Sequence, residues 1–271
     1  MRINIVVAAV LTLVWVTAPA AVGADEAPKA DAPKAESPKA ASDASAAAVA
    51  VIDKAVEALG GKEKLTAIKA ATWTSKGTIT IGGTDAPFTA KLAFAGHDRR
   101  RVEFETDFGG NAIKGVVVVN GDKGWRQFNG NTEELAGNDL ANEQRNGWRE
   151  WAAADVLLLK SPPFKAESAP DADVNGKPAA AVKVAGPQGA PFTLYFDKAT
   201  GLPVRQTATV TTFTGEDAAE EVTYSDYKDF DGIKKATMVE TKHNGQRLLI
   251  AEVTAFRVLD KPEPGAFDKP E

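Results

Sequence analysis

Apolar and polar residues alternate regularly between Pro87 and Phe128. Successive side chains of a β-strand point to opposite faces of the sheet, so this period of two predicts strands with one apolar face. Turn sequences such as Gly109-Gly110 and Asn120-Gly121-Asp122-Lys123 divide the segment into four antiparallel strands. The apolar positions are Phe88, Ala90, Leu92 and Phe94, then Val102, Phe104, Thr106 and Phe108, then Val116 to Val119, and finally Trp125 and Phe128.

The same alternation precedes this segment at Trp73 to Ile81 and returns between Ala180 and Val258. Short turns separate these later segments, which predicts antiparallel neighbours throughout. About eleven strands result, and a twisted open sheet rarely exceeds about ten strands without curling or closing. The sequence therefore predicts a mainly β fold whose curled sheet encloses more volume than its own side chains fill.

Two segments have the spacing of helices instead. Residues 46–59 carry apolar side chains three and four positions apart and end at Gly60-Gly61, which suits a left-handed C-cap. Residues 138–160 contain Trp148, Trp151 and three consecutive leucines before Ser161-Pro162-Pro163 ends the helix. So apolar a helix either belongs to the core or lines and plugs a cavity, and the pattern leaves both interpretations open.

The N-terminal residues indicate export. Residues 1–24 combine Arg2, an apolar run and a small-residue cleavage site ending at Ala24, as in a signal peptide. The apolar run is shorter than the roughly 20 residues of a membrane span, which favours cleavage over a membrane anchor. Residues 25–45 repeat Ala-Pro-Lys and are predicted to be a disordered linker, either a plain spacer or a docking segment. Residues 46–271 are predicted to form a single domain.

Charge and composition narrow the classes of function. The chain has a formal net charge of −5, and removal of Arg2 with the signal peptide makes it more acidic, which argues against nucleic acid as a partner. It contains no cysteine, so the mature protein has no disulfide and is not itself a lipoprotein. We expect a soluble periplasmic or otherwise exported protein.

Catalytic and metal-binding motifs are not found in the sequence. The two histidines, His97 and His243, are distant from each other, have no motif partner and are expected at the surface. Neither a nucleophile elbow nor a nucleotide-binding or zinc motif is present. A pair of glycosidase carboxylates would leave no local motif. We therefore predict a non-enzymatic protein without a metal or cofactor.

Three consecutive arginines at Arg99, Arg100 and Arg101 begin the second strand of the first segment. Because side chains alternate, Arg100 shares a face with Val102 and Phe104, and if that face is the apolar one it points toward the enclosed side. A guanidinium there needs carboxylate or carbonyl partners. The alternative is a strand-end arginine whose side chain extends to water.

Several segments in this order resemble the periplasmic lipoprotein carrier and sorting proteins of the LolA/LolB-like superfamily. They span about residues 46 to 269, essentially the whole mature domain. The segments are Ala58-Leu59-Gly60-Gly61 after a helix, the basic strand start at residues 97–104, Val118 to Trp125, Leu194 to Pro203 and Tyr224 to Lys234.

The resemblance implies a half-open antiparallel barrel, with helices acting as a lid over an apolar cavity that accepts the acyl chains of a lipidated protein. It implies that Phe88, Leu92, Phe94, Phe104 and Trp125 line the cavity, with Trp148, Trp151 and Leu157 to Leu159, Leu158 among them, as the cover. It also implies partners at the inner or outer membrane in lipoprotein transfer.

One position departs from the family. The carrier has an arginine followed by proline at the basic strand start, and that arginine latches the lid, whereas this chain has His97-Asp98 there. The resemblance therefore leaves open whether Arg99 or Arg100 is the latch. A relative that holds another lipid, or an envelope scaffold whose barrel is filled and binds only protein, fits the same pattern.

Overall fold

In a computed structural model of the chain, which describes residues 38–187, 191–212 and 215–271, the strands form one antiparallel sheet of thirteen strands. The predicted signal peptide and residues 25–37 of the predicted linker lie outside the described residues. No helix of the described part of the chain is long and apolar enough to cross a membrane.

The sheet consists of two meanders joined by their first and last strands. The N-terminal meander comprises β1 (Ala70–Ile81), β2 (Thr84–Ala95), β3 (Arg99–Phe108), β4 (Asn111–Asn120), β5 (Lys123–Phe128) and β6 (Asn131–Glu134). The C-terminal meander comprises β7 (Lys165–Val174), β8 (Lys177–Ala185), β9 (Phe192–Asp197), β10 (Pro203–Thr211), β11 (Asp217–Phe230), β12 (Ile233–His243) and β13 (Gln246–Leu259). β1 pairs with β13, and β6 and β7 form the two edges, so the sheet is not closed.

Helices α1 (Pro38–Leu59) and α2 (Lys62–Ala67) precede the sheet, and α3 (Gly137–Ala152) and the 3₁₀ helix Val156–Lys160 connect its two halves. α3 contacts both halves at once, because Arg100 on β3 pairs with Glu143 while Gln206 on β10 donates to the carbonyl of Arg149. Strands far apart in the sheet thus lie on either side of one helix. The sheet is therefore curled around α3, which gives the predicted half-open barrel with helices inside.

The main core lies between the sheet and these helices. α1 contributes an apolar face that includes Ile52 and Leu59, and α3 contributes Trp148 and Trp151. Their partners on the sheet include Trp73, Phe94, Val182, Leu194 and Phe256. We call this side of the sheet the inner face and the opposite side the outer face.

The elements differ from the prediction in extent more than in type. α1 begins at Pro38 rather than at residue 46, so the last eight residues of the predicted linker segment, 38–45, are helical. Proline is tolerated at the first helical position, and the alanine-rich run behind it favours helix. The predicted helix 138–160 is divided, because α3 ends at Ala152 and a 3₁₀ helix follows a turn at residues 153–155. The structure also adds two edge strands, β6 and β7, which raises the predicted eleven strands to thirteen.

Candidate functional site

The register of the sheet assigns the predicted cavity residues to its two faces. Phe88, Leu92, Phe94 and Phe104 lie on the inner face, as predicted from their alternation. Trp125 does not, because it pairs with Val118, which pairs with Arg101 on the outer face. It packs there against a second cluster of Ala70, Ala95, Val118 and Phe267. The prediction for Trp125 was wrong because the run Val116–Val119 is apolar at every position and does not reveal which face is buried.

Aromatic side chains fill the part of the inner face that lies beneath α3. The ring of Phe94 stacks on that of Trp73 at 4.8 Å and on that of Trp151 at 5.4 Å. Trp148 meets Phe164 edge to face at 6.1 Å, and both tryptophans of α3 are buried. Leu158, on the 3₁₀ helix, is half-buried against the same cluster. The predicted cover residues are therefore brought together, but Phe94 contacts them directly rather than facing a space below them.

The inner face continues beyond this packed region as an apolar surface that is only partly buried. Its residues come from β11, β12, β13, β1, β2, β3 and β4, and none belongs to either core cluster. They are interspersed with the buried residues Ala86, Thr241 and Ala251. Aliphatic and aromatic side chains in the middle of a sheet are normally covered, so this uncovered area is the feature that distinguishes the site. We call it the open inner face: Ile79, Ala90, Val102, Phe104, Val117, Val222, Val239 and Leu249.

Phe104 is held in place by its neighbours on this surface. Its ring lies over Gly115, where an added Cβ atom would approach the ring to 2.2 Å. It also meets Phe128 edge to face at 5.9 Å, and Phe128 is 46% exposed. Phe88, on the adjacent row, is buried at 9% exposure. The aromatic end of the open inner face is therefore ordered by the strands themselves.

Arg100 joins this surface to α3. Its side chain donates from Nε to Glu150 at 2.7 Å and from Nη1 to Glu143 at 3.1 Å. Burial lowers the pKa of Arg100, but the charges of Glu150 and Glu143 outweigh it and leave the pKa above its ordinary value. Arg100 is 8% exposed, so of the two orientations that the sequence left open it adopts the inward one and does not extend to water.

Further ion pairs attach α3 to both halves of the sheet. Arg126 on β5 approaches Glu143 at 3.4 Å, and Arg149 on α3 approaches Glu220 on β11 at 3.6 Å. The Nε atom of Arg149 is buried without a hydrogen-bond partner in the described part of the chain, and burial lowers the pKa of this guanidinium. Glu220 also contacts His243 at 3.2 Å. α3 is thus bound by charged groups at its edges and by aromatic rings at its centre.

Arg99 and His97 lie outside this arrangement. The guanidinium of Arg99 lies 5.8 Å from the ring centre of Phe267 on the outer face, and its side chain is 40% exposed. His97 is exposed and touches Phe164 edge to face. Of the two candidate latch residues, Arg100 is therefore the one in contact with the helix.

Lys235 on β12 is a further charged group on the inner face that sequence reasoning missed. Its Nζ lies 4.3 Å from the ring centre of Trp73, in a cation–π contact. Burial lowers the pKa of Lys235 to about 8, partly offset by Glu150. The side chain is half-buried beside Trp73, in the packed region of the inner face.

Two grooves lie away from this site. One, of about 520 Å³, crosses strands β8 to β12 on the outer face, where Lys183, Thr193, Thr207, Glu221 and Lys242 form one cross-strand row. The other, of about 270 Å³, lies beside Pro87 and Lys114. The lysine, threonine and glutamate side chains of the first groove suit a polar molecule rather than an acyl chain.

Within the described residues, no group of three or more His, Cys, Asp or Glu side chains is placed to hold a metal ion.

Solved structures share this fold. A DUF1329 family protein from Desulfovibrio piger is 13% identical, with a TM-score of 0.55 over 82% of this chain and 97% of its own. A LolA superfamily protein from Nitrosomonas europaea is 10% identical, with a TM-score of 0.55 over the same shares. A domain from Vibrio parahaemolyticus described as an outer membrane lipoprotein-sorting protein is 11% identical, with a TM-score of 0.50 over 80% of this chain and 97% of its own.

The sequence itself matches no protein-family model and no curated protein. At these identities the structural likeness establishes the fold. The chain has the LolA-like fold, a mainly antiparallel half-open barrel, which confirms the resemblance drawn from its turn and strand sequences.

Proposed function

We propose that this protein is an exported, non-enzymatic binding protein that holds the acyl chains of a lipidated protein or of another lipid against its open inner face. The observation that carries the proposal is the partly buried apolar surface in the middle of a curled sheet, next to the helices that cover the rest of that face. Burial of such a surface against an acyl chain gains roughly 25 cal/mol per Å².

The attachment of α3 supports a role for this helix as a lid. Its ends and edges are held mainly by ion pairs and polar contacts, through Arg100, Arg126 and Glu220, rather than by a continuous apolar interface with every strand. The pairs of Arg100 with Glu150 and of Arg126 with Glu143 each have one partly exposed partner and can be exchanged for water at low cost. The Arg100–Glu143 pair is buried and costly to break, so it holds α3 closed until the helix shifts and extends the open inner face. We assign Arg100 as the latch residue of this lid.

Export rests on the signal-peptide sequence of residues 1–24, and delivery to a membrane-bound partner rests on the linker that follows it. The LolA-like fold agrees with a carrier of lipid between membranes. The carrier is expected to be periplasmic and to need no cofactor, since its work is binding and release.

A second candidate, an envelope scaffold that binds protein with a filled barrel, is favoured by one observation. The stack of Trp73, Phe94 and Trp151 fills the covered part of the inner face with the protein's own side chains. In that case the open inner face would be a protein-docking surface and no lipid would be retained.

Mass spectrometry of lipid extracts separates the two candidates. The mature protein, exported and purified without detergent, should contain co-purified lipid, and Phe104→Glu should abolish this retention because a carboxylate would lie on the open inner face. A control variant, Lys91→Glu, changes an exposed residue of the neighbouring strand and should retain lipid. A well-folded protein that neither retains lipid nor takes up a fluorescent fatty acid would contradict the proposal and favour the scaffold.

A further inference from the structure

Lys235 differs from the other cations near α3 in its partners. Arg100, Arg126 and Arg149 each pair with a glutamate, whereas Lys235 takes part in none of the ion pairs found among the described residues. The nearest compensation for its charge is the π face of Trp73 and the field of Glu150, whose carboxylate is already bound to Arg100.

Its neighbours in the sheet do not neutralise it. The residue directly opposite Lys235 on β11 is Lys228, a second cation without a carboxylate partner among the described residues. Like charges opposite each other in a sheet are destabilising. A half-buried ammonium ion next to another lysine is therefore a position where an anion would be stabilised.

The open inner face begins two inner-face positions away from this lysine, at Val239, because the intervening Thr237 is only 2% exposed. On β12 the inner-face positions after Lys235 are Thr237, Val239 and Thr241, and Val239 and Thr241 pair with Ala251 and Leu249 on β13. The segment from Lys235 to Thr241 extends about 20 Å at the rise of a β-strand. That distance matches a long acyl chain whose head group lies at Lys235 and whose tail lies over Val239 and Leu249, with the side chains that cover Thr237 displaced.

From this placement we propose that Lys235 binds the anionic head group of the lipid held on the open inner face, so that the protein prefers single-chain lipids with a negatively charged head over neutral ones. This inference rests on the proposed function, because it names the class of lipid that the same surface takes. The head group would accept hydrogen bonds from Nζ in place of water and would offset the repulsion between Lys235 and Lys228.

The test compares two ligands with the same chain, oleate and oleyl alcohol, by equilibrium titration of the mature protein. The wild type should bind oleate more tightly. Lys235→Met keeps the length of the side chain and should weaken oleate binding at least about tenfold while leaving oleyl alcohol unchanged. Lys235→Arg should restore the preference for oleate. Lys234→Met, on the exposed outer face of the same strand, is the matched control and should change neither affinity.

Three other outcomes would overturn the inference, and they differ in whether the proposed function survives. If Lys235→Met binds oleate as tightly as the wild type does, Lys235 does not bind the head group, although the proposed function stands. If inorganic phosphate displaces oleate at equal concentration, the site serves a free anion and not a lipid head group. If the wild type binds neither oleate nor oleyl alcohol, the proposed function fails and the inference fails with it.

Discussion

Arg100 donates from Nε to the carboxylate of Glu150 at 2.7 Å and thereby attaches strand β3 to helix α3. The same guanidinium reaches Glu143 one heptad earlier on the helix, at 3.1 Å. One side chain of the sheet thus spans two turns of the helix that divides the inner face into a packed part and an open part.

Replacement of Arg100 should destabilise the protein. Arg100→Met removes the shared partner of Glu143 and Glu150 and leaves the buried Glu143 with only the weaker contacts to Arg126 and Asn146. We therefore expect a loss of about 2 to 3 kcal/mol in the free energy of unfolding. Urea denaturation measures it. The control is Arg99→Met, whose exposed side chain should contribute about 0.5 kcal/mol or less. Equal effects of the two substitutions would show that Arg100 does not hold α3.

Gly77 should be irreplaceable at the junction of the two meanders. A Cβ atom there would lie 1.9 Å from the carbonyl oxygen of Ile250, so Gly77→Ala must separate β1 from β13. We expect a loss of about 3 kcal/mol in the free energy of unfolding. Gly82→Ala, which meets nothing within 4 Å but has a φ of +58°, should cost about 1 kcal/mol. Thermal unfolding of both variants measures the two losses of stability. A Gly77→Ala protein as stable as the Gly82→Ala protein would contradict the register of this junction.

Phe267 should stabilise the fold without taking part in ligand binding. It is 6% exposed on the outer face, in the cluster that Trp125 joins. Phe267→Ala should lower the free energy of unfolding by about 3 kcal/mol, from lost apolar burial and the cavity left behind. Its affinity for a fluorescent fatty acid, measured where the variant is folded, should equal that of the wild type. If folded Phe267→Ala bound the fatty acid more weakly than the wild type, the outer-face cluster that contains Trp125 would take part in ligand binding.

Asp155 should make stability fall as pH rises. Burial raises the pKa of its carboxyl from 3.8 to about 6. The hydrogen bond that the carboxylate accepts from the backbone N–H of Leu157 lowers the pKa but does not outweigh burial. Between about pH 4 and about pH 6 the folded state therefore binds more protons than the unfolded state, and the penalty is complete above this window. Asp155→Asn keeps an oxygen that accepts the same bond.

At pH 7 Asp155→Asn should accordingly be more stable than the wild type by about 1 to 2 kcal/mol, and the difference should disappear near pH 3. Urea denaturation across this range measures the difference directly. If Asp155→Asn were less stable than the wild type at neutral pH, the ionised carboxylate of Asp155 would stabilise the folded state, contrary to this prediction.

The sequence was most informative where alternation was strict. Phe88, Leu92 and Arg100 lie on the face that their spacing predicted, because polar residues between them marked the opposite face. The run of valines at 116–119 lacks such markers, and for that reason Trp125 was placed on the wrong face.

Other features left weaker signals or none. Strand β7 contains Pro170 and few apolar residues, so its pairing with β8 and its contact with α1 decide its structure, not its own pattern. Glu143 and Glu150 are seven residues apart and so share one face of α3, a spacing that could have revealed the partners of Arg100. Lys235 gave no signal, because its significance depends on Trp73, which is distant in sequence and adjacent only in the folded sheet.

The central claim is that the open inner face binds acyl chains, and two adjacent residues of β13 test it. Leu249 lies on this face opposite Ile79, whereas Ile250 lies on the outer face opposite Thr78, and both are half-buried. In a titration with a fluorescent fatty acid, Leu249→Gln should weaken binding at least about tenfold, since it places an amide under the chain, and Ile250→Gln should leave it within about twofold. Equal affinities for the two variants, or a folded wild type that binds no fatty acid, would contradict the claim.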